Sequence, residues 1–264
     1  RLPVASDPVA EPEASAAGAH DVRVWRDAPH HATRLADDDY IRDWAIRSPA
    51  RMLTNLMDTL MVRPAAAFAD EVLRAIDSVK PDIVVTSFPL FGSMMAAEAR
   101  GLPFVVLVPN VVSLPCEGMP PFGTGFLPPR TAVGRSRDRA LNGLVERVWN
   151  RRRSELNRTR TTLGLDPLDR VLAQYERADR VLALTGTAFD FPARLPANVR
   201  YVGPQLDDPH WTQTWKPPPD DGRPFVLVAM STTYMNHTEQ LQRAVTAVGT
   251  LPVRALVTTG PVER

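Results

Sequence analysis

Phe225-Val-Leu-Val-Ala-Met-Ser-Thr-Thr233, a helix-patterned segment at about 237–249, and Val253-Arg-Ala-Leu-Val-Thr-Thr-Gly-Pro261 decide the fold class. Two apolar, β-branched runs end at small hydroxyl residues, and one helix-length segment separates them. Asn236 with Glu239 three residues on has the form of a capping box at the helix start. Strand, helix, strand at this spacing implies a βαβ unit with a parallel sheet. Hydroxyls and free backbone N–H groups where a strand turns toward a helix suit a phosphate. Ser231, Thr232, Thr233 and Gly260 are therefore candidate nucleotide-facing residues, beside the plainer reading that they only cap their turns.

Moving toward the N-terminus, residues 203–224 hold six prolines and read as a semi-rigid linker. A second βαβ pattern precedes it. Asp82-Ile-Val-Val-Thr-Ser87 and Phe104-Val-Val-Leu-Val108 are short buried strands, and Met94–Arg100 is a helix stopped by Gly101. Arg180–Leu184 and Val199–Val202 read as further strands, and Val22–Arg26 as a short one. Asp37–Ser78 has helical periodicity divided by Pro49 and Pro64. Ala132–Leu163 reads as one long Arg-rich helix, Pro167–Asp179 as another, and residues 1–20 as a loose or helical surface segment.

Between the second strand and the long helix lies a Pro/Gly-rich loop, Pro109–Pro129, carrying Leu114, Met119, Phe122 and Phe126. Loops of this kind after parallel strands are where open α/β sheets hold ligands.

Composition narrows the function classes. The chain has 264 residues, 44% of them hydrophobic, and a net charge of +1, which gives no overall electrostatic case for nucleic acid or a membrane surface. One cysteine, Cys116, excludes an internal disulfide or a multi-cysteine metal site and points to a reducing, cytoplasmic setting. The longest apolar run, Phe104–Val112, is far shorter than the ~20 residues of a membrane-spanning helix. Gly123-Thr-Gly125 lacks the third glycine of a dinucleotide fingerprint, which disfavours a nicotinamide-dependent oxidoreductase. His30-His31 beside Asp37-Asp-Asp39 fits no compact metal-ligand spacing and reads as exposed polar loop; Asp70 and Glu71 read as solvated helix carboxylates. No metal site is expected, and no Ser/His/Asp or Cys/His constellation emerges from spacing.

Ala188-Phe-Asp-Phe-Pro192, Asn198-Val-Arg-Tyr-Val-Gly-Pro-Gln-Leu206, Val226–Thr233 and Leu251–Pro261 together resemble a bacterial family 1 glycosyltransferase. The group most like it is the macrolide glycosyltransferase-like GT-B enzymes of actinobacteria. Weaker likeness extends back through Trp25-Arg-Asp-Ala-Pro-His30 and Pro81-Asp-Ile-Val-Val85. The resemblance implies an α/β, GT-B chain: an incomplete N-terminal Rossmann-like domain (1–203), a linker (204–222), and the first β-α-β of a C-terminal Rossmann-like domain (223–264).

It further implies an inverting, single-displacement transfer from a UDP- or TDP-sugar to a hydroxyl of an apolar small molecule, without a cofactor or a required metal. The general-base histidine and the pyrophosphate-binding His-Gly-Gly segment of that family are expected before Arg1 and after Arg264. The chain is thus expected to be an internal fragment, inactive as it stands and carrying no catalytic residue. Ser231, Thr232, Thr233 and Gly260 then match donor-facing strand ends, and Ser87, Phe88, Asn110 and Phe122 lie on the acceptor side. Many members place an aspartate that orients the base where this chain has Ser87, which would require another way to orient it. The alternative from another class is a non-catalytic small-molecule-binding module of the same fold.

Overall fold

A computed structural model describes residues 3–206, 216–230 and 235–258. Contacts group them into two compact units, 25–29 with 48–206, and 3–24 with 30–47, 216–230 and 235–258. The linker boundary at 204–222 remains an assignment from composition, and residues 207–215 within it lie outside the described residues.

The first residues do not form a loose segment. β1 (Pro3–Ser6) and β2 (Asp21–Val24) pair in parallel across the short helix α1 (Glu11–Ala16). Helical periodicity from Asp37 yields a helix only after Ser48. Before it there are single 3-10 turns, because the Asp39 carboxylate accepts the N–H groups of Ile41 and Arg42 and so offers the backbone a turn instead of a helix. α2 (Pro49–Leu56) continues through a π-helical turn, Met57–Met61, into α3 (Ala65–Val79), with Pro49 in the first turn of α2.

The larger unit is built on a four-stranded, all-parallel sheet of order β3-β4-β5-β6: β3 (Val84–Ser87), β4 (Phe104–Val108), β5 (Arg180–Ala183) and β6 (Val199–Tyr201). α4 (Phe91–Ala99) crosses from β3 to β4 and stops before Gly101, whose φ of 65° needs no Cβ. Thr86, Phe104, Val106, Val108, Val181, Ala183 and Val199 are buried on one sheet face, where Phe91, Met94 and Met95 of α4 join the same core. α4 lies close against α3. A Cβ on Gly92 would come within 2.2 Å of the Ala65 carbonyl oxygen, so only glycine permits the approach.

The expected long helix 132–163 is two helices, α5 (Ala132–Asn150) and α6 (Arg153–Thr162). At the break, the Arg152 guanidinium holds Asp58 in two bonds of 2.6 and 2.7 Å. Pro167–Asp179 is not an α-helix either but contains a 3-10 run, Val171–Arg177. Side chains take the backbone bonds a helix would have made: the Asn157 amide pairs with both the N–H and C=O of Leu168, and Asn150 accepts from the Val171 N–H.

Glu71 corrects another expectation. Its carboxylate is not merely solvated but accepts the N–H groups of Arg26, Asp27 and Ala28, at 2.9 to 3.1 Å. Burial opposes ionisation there, yet these donors and Arg74 hold the carboxyl below its ordinary range. Trp25 meets Phe68 edge to face at 5.3 Å beside this loop.

In the other unit, β7 (Phe225–Val228), α7 (Thr238–Gly249) and β8 (Arg254–Val257) form a parallel βαβ element as the sequence pattern implies. The capping box does not form: His237 occupies the cap position without a side-chain cap bond, Asn236 has φ 52°, and Glu239 pairs with Arg243. Arg254 organises the approach to β7 through the Pro219 carbonyl (2.6 Å) and the Asp220 carboxylate (2.8 Å).

The most buried polar contact of the larger unit is Arg160 on α6, fully buried. It binds Glu98 of α4 bidentately at 2.8 and 2.9 Å, Gln174 at 2.6 Å and the Asp166 carbonyl at 2.7 Å. Removing one partner of a buried pair leaves an uncompensated charge, so Arg160→Met should lower unfolding stability by about 3 kcal/mol. Glu98→Gln, which leaves the fully buried Arg160 without a counter-charge, should cost at least as much. Urea titration followed by circular dichroism checks both; a change under about 0.5 kcal/mol for Arg160→Met would contradict this role.

Candidate functional site

The carboxyl ends of β3 and β4 open into the loops at 88–90 and 109–131. At the strand ends lies a small apolar pocket lined by Phe88, Val108, Val112, Leu114 and Tyr175, with Val199 behind them. Leu114 and Tyr175 also wall an adjoining pocket of about 130 Å³, whose other side carries Glu146, Arg170 and Glu176. At about 10 Å³ the strand-end space admits no more than a water, and even with the adjoining 130 Å³ it is smaller than the ~300–1,000 Å³ of a formed ligand site, so it offers a mainly apolar small molecule a foothold and not a complete pocket.

Two polar anchors shape the cleft. Tyr175 is buried, and its hydroxyl donates to the Phe88 carbonyl at 2.8 Å, fixing the turn after β3. Burial pushes this phenol far above its ordinary range, so it acts as a neutral donor. The second anchor is Asp190. One carboxylate oxygen accepts from the Val112 N–H and the Tyr201 hydroxyl, both at 2.8 Å, and the other from the Phe191 N–H at 2.7 Å. Asp190 thereby ties the loop after β4 to the loop after β5 and to β6. A backbone bond from the Arg194 N–H to the Glu117 carbonyl adds a second tie. Burial and the nearby Asp190 push the Cys116 thiol up to about 11, so it is no nucleophile at neutral pH.

The residues expected on the acceptor side are only partly brought together. Phe88 lines the pocket. Ser87 ends β3 beside it, in register with Leu107, and its carbonyl accepts from the Leu90 N–H. Asn110 and Phe122 stand exposed on the following loop, Phe122 at 59% exposure, and neither lines the pocket. On the donor side, Ser231, Thr232, Thr233 and Gly260 lie outside the described residues. The strands leading to them are adjacent and parallel, Val228 opposite Val257.

Sequence reasoning named Leu114 on the ligand-holding loop but missed Tyr175 and Val112 as pocket residues and Asp190 as the clamp beside them. Asp190 sits in the Ala188–Pro192 motif that carried the family resemblance, which was the available signal. Among the described residues no group of three His, Cys, Asp or Glu could hold a metal ion.

In the other unit, His31 is not simple exposed loop. It is half-buried, with Nδ1 2.9 Å from Asp7 at the end of β1, Nε2 3.5 Å from Asp39, and the Tyr40 ring tilted against it at 4.6 Å. The Asp7 bond outweighs burial and raises the imidazole above its ordinary 6.5. A raised folded-state value means that the clasp is fully formed below pH 6.5 and weakens as pH rises through the folded value. Segment 30–47 should therefore be better protected from amide exchange at acidic than at alkaline pH, after correction for intrinsic rates. His31→Gln should flatten that difference; a difference that persists in the variant would contradict the assignment.

No protein-family model matches the chain. It is 28% identical over 212 residues to 4'-demethylrebeccamycin synthase of Lentzea aerocolonigenes, covering 77% of this chain and 50% of that protein. Its fold matches the crystal structure of the glycotransferase of kitacinnamycin with a TM-score of 0.63 at 13% identity, over 99% of this chain and 59% of that one. It also matches the spinosyn rhamnosyltransferase SpnG complexed with thymidine diphosphate, with a TM-score of 0.52 at 17% identity, over 97% of this chain and 57% of that one. The chain thus spans about half the length of the curated relative it matches. The chain is thus similar in sequence to part of this synthase, and its fold matches part of the fold of these glycosyltransferase structures.

Proposed function

We propose that the protein carrying this chain transfers a sugar from a nucleoside-diphosphate donor to a hydroxyl of an apolar small molecule, by inverting single displacement, in the cytoplasm. The observation that carries this reading is the apolar cleft at the ends of β3 and β4, held by the Tyr175–Phe88 bond and the Asp190 clamp. In this reading residues 1–203 bind the acceptor, 204–222 link, and 223–264 begin the donor-binding domain. The acceptor's apolar body packs on Phe88, with Ser87, Asn110 and Phe122 contacting its rim.

In this reading the donor diphosphate meets Ser231, Thr232, Thr233 and Gly260, which follow β7 and β8 in sequence, and the exposed N–H groups at the N-terminus of α7 favour anions. A TDP-sugar is the first donor to test, because a fold relative is complexed with thymidine diphosphate; a UDP-sugar is the second. Tyr175 and Cys116 are held neutral, so neither is the base that deprotonates the acceptor. No cofactor is invoked.

The test is turnover by the protein carrying this chain in full, given TDP- and UDP-sugars and a panel of planar, hydroxylated aglycones. The expected product is a glycoside of inverted anomeric configuration. Phe88→Ala should raise the acceptor KM by about tenfold or more, since full burial of a Phe side chain is worth roughly 1.5–3 kcal/mol, and leave the donor KM unchanged. Absence of transfer to every acceptor, or equal effects on both KM values, would contradict the proposal.

A further inference from the structure

The space beside the strand ends, of about 130 Å³, is close in size to the ~150 Å³ of an apolar cavity that takes up benzene. Its wall is apolar: Pro115, Leu172 and Pro196 line it together with Leu114, Tyr175 and Val199, which it shares with the strand-end space. The two spaces are therefore contiguous along one wall. One six-membered ring fits this volume. A pyranose does not suit it, because the wall offers nothing to meet hydroxyls around a whole ring.

The rim is polar, and its bonds show which capacity is left over. The Tyr175 hydroxyl is spent on the Phe88 carbonyl, and the Asn198 amide donates to the Tyr175 and Ala178 carbonyls at 2.9 and 3.0 Å. Asn198 thus keeps an oxygen that can accept. Glu176 is bound by Arg170, whereas Glu146 lies 4.0 Å from that guanidinium, too far for a hydrogen bond. Among the described residues Glu146 accepts no other hydrogen bond, so its carboxylate is a second open acceptor.

The charges at the rim balance. Glu146 and Glu176 face Arg170, and the Arg200 guanidinium donates to the carbonyl of Val199 at 2.7 Å. Two carboxylates and two guanidiniums give neither a cation nor an anion a net attraction. A neutral hydroxyl matches all of them: it donates to Glu146 or Asn198 and can accept from Arg170.

We propose that this pocket seats a neutral aromatic ring bearing a hydroxyl, and that in the full protein the ring is a second, phenolic ring of the acceptor rather than the group that receives the sugar. Its assignment to the acceptor rests on the transferase reading above; the preference of the pocket for a phenol does not.

Methyl NMR of the chain titrated with p-cresol, toluene, benzoate and benzylamine tests the preference. Leu172 lines only this pocket, and Val108 and Val112 only the strand-end space. p-Cresol should shift the methyl groups of Leu172, Leu114 and Val199 and leave those of Val108 and Val112 in place. It should bind at least about tenfold more tightly than toluene, the factor expected of a hydrogen bond to a charged group, and more tightly than either charged ring. Glu146→Leu, a change on a half-exposed side chain of α5, should weaken p-cresol about tenfold while toluene affinity and the melting temperature stay unchanged. Equal affinity for p-cresol and toluene, no shift at Leu172 at saturation, or a variant that binds p-cresol like the parent would overturn the proposal. Transfer assays with the full protein separate the two readings. Equal KM values for acceptors with and without a second phenolic ring would overturn the acceptor assignment and leave the transfer standing. Binding of p-cresol at Leu172 without transfer to any acceptor would uphold the pocket and contradict the transferase.

Discussion

One buried cation sets the frame of the larger unit. Arg160 has no water to solvate it, so it must be met by Glu98, Gln174 and the Asp166 carbonyl together. Those partners sit on α4 and on the segment leading into β5. Arg177 reaches the same Glu98 at 3.3 Å, and these contacts hold that carboxyl below its ordinary range although burial opposes it. The pair therefore positions the crossover between β3 and β4 relative to the connection into β5. It also fixes the 3-10 turn that carries Gln174 and, one residue on, Tyr175.

Tyr175 carries that constraint to the cleft. Its hydroxyl holds the Phe88 carbonyl, its ring meets Phe91 edge to face at 5.3 Å, and it walls both pockets. On the far side, Asp190 performs the matching task for the loop after β4, gripping Val112 and Tyr201 at once. The cleft is thus shaped by polar bonds to backbone, and its lining is left apolar. That combination suits recognition by fit and burial, with reactive groups supplied from elsewhere.

Much of the fold was legible because its signals are local. β-Branched runs at 82–87, 104–108, 225–230 and 253–258 gave strands, and Gly101 gave a helix end. The errors arose where side chains compete for backbone bonds or pair over long separations. No proline or glycine marks the break at Arg151-Arg152; a pair with Asp58, 94 residues away, accompanies it. Asn157 and Asn150 replaced a helix at 167–179 with a 3-10 run, and Asp39 did the same before Ser48. The site divides along the same line. Phe88 follows a strand end and was placed on the acceptor side by the family resemblance, whereas Tyr175, Glu71 and the His31–Asp7 pair owe their contacts to partners distant in sequence.

The account stands on the apolar cleft at the strand ends being a ligand site, and methyl NMR of the chain titrated with a planar, hydroxylated aglycone tests that directly. Shifts should concentrate on the methyl groups of Val108, Val112, Leu114 and Val199 and disappear in Phe88→Ala. Shifts centred on exposed Val85 and Leu227 instead, or none at saturating ligand, would contradict it.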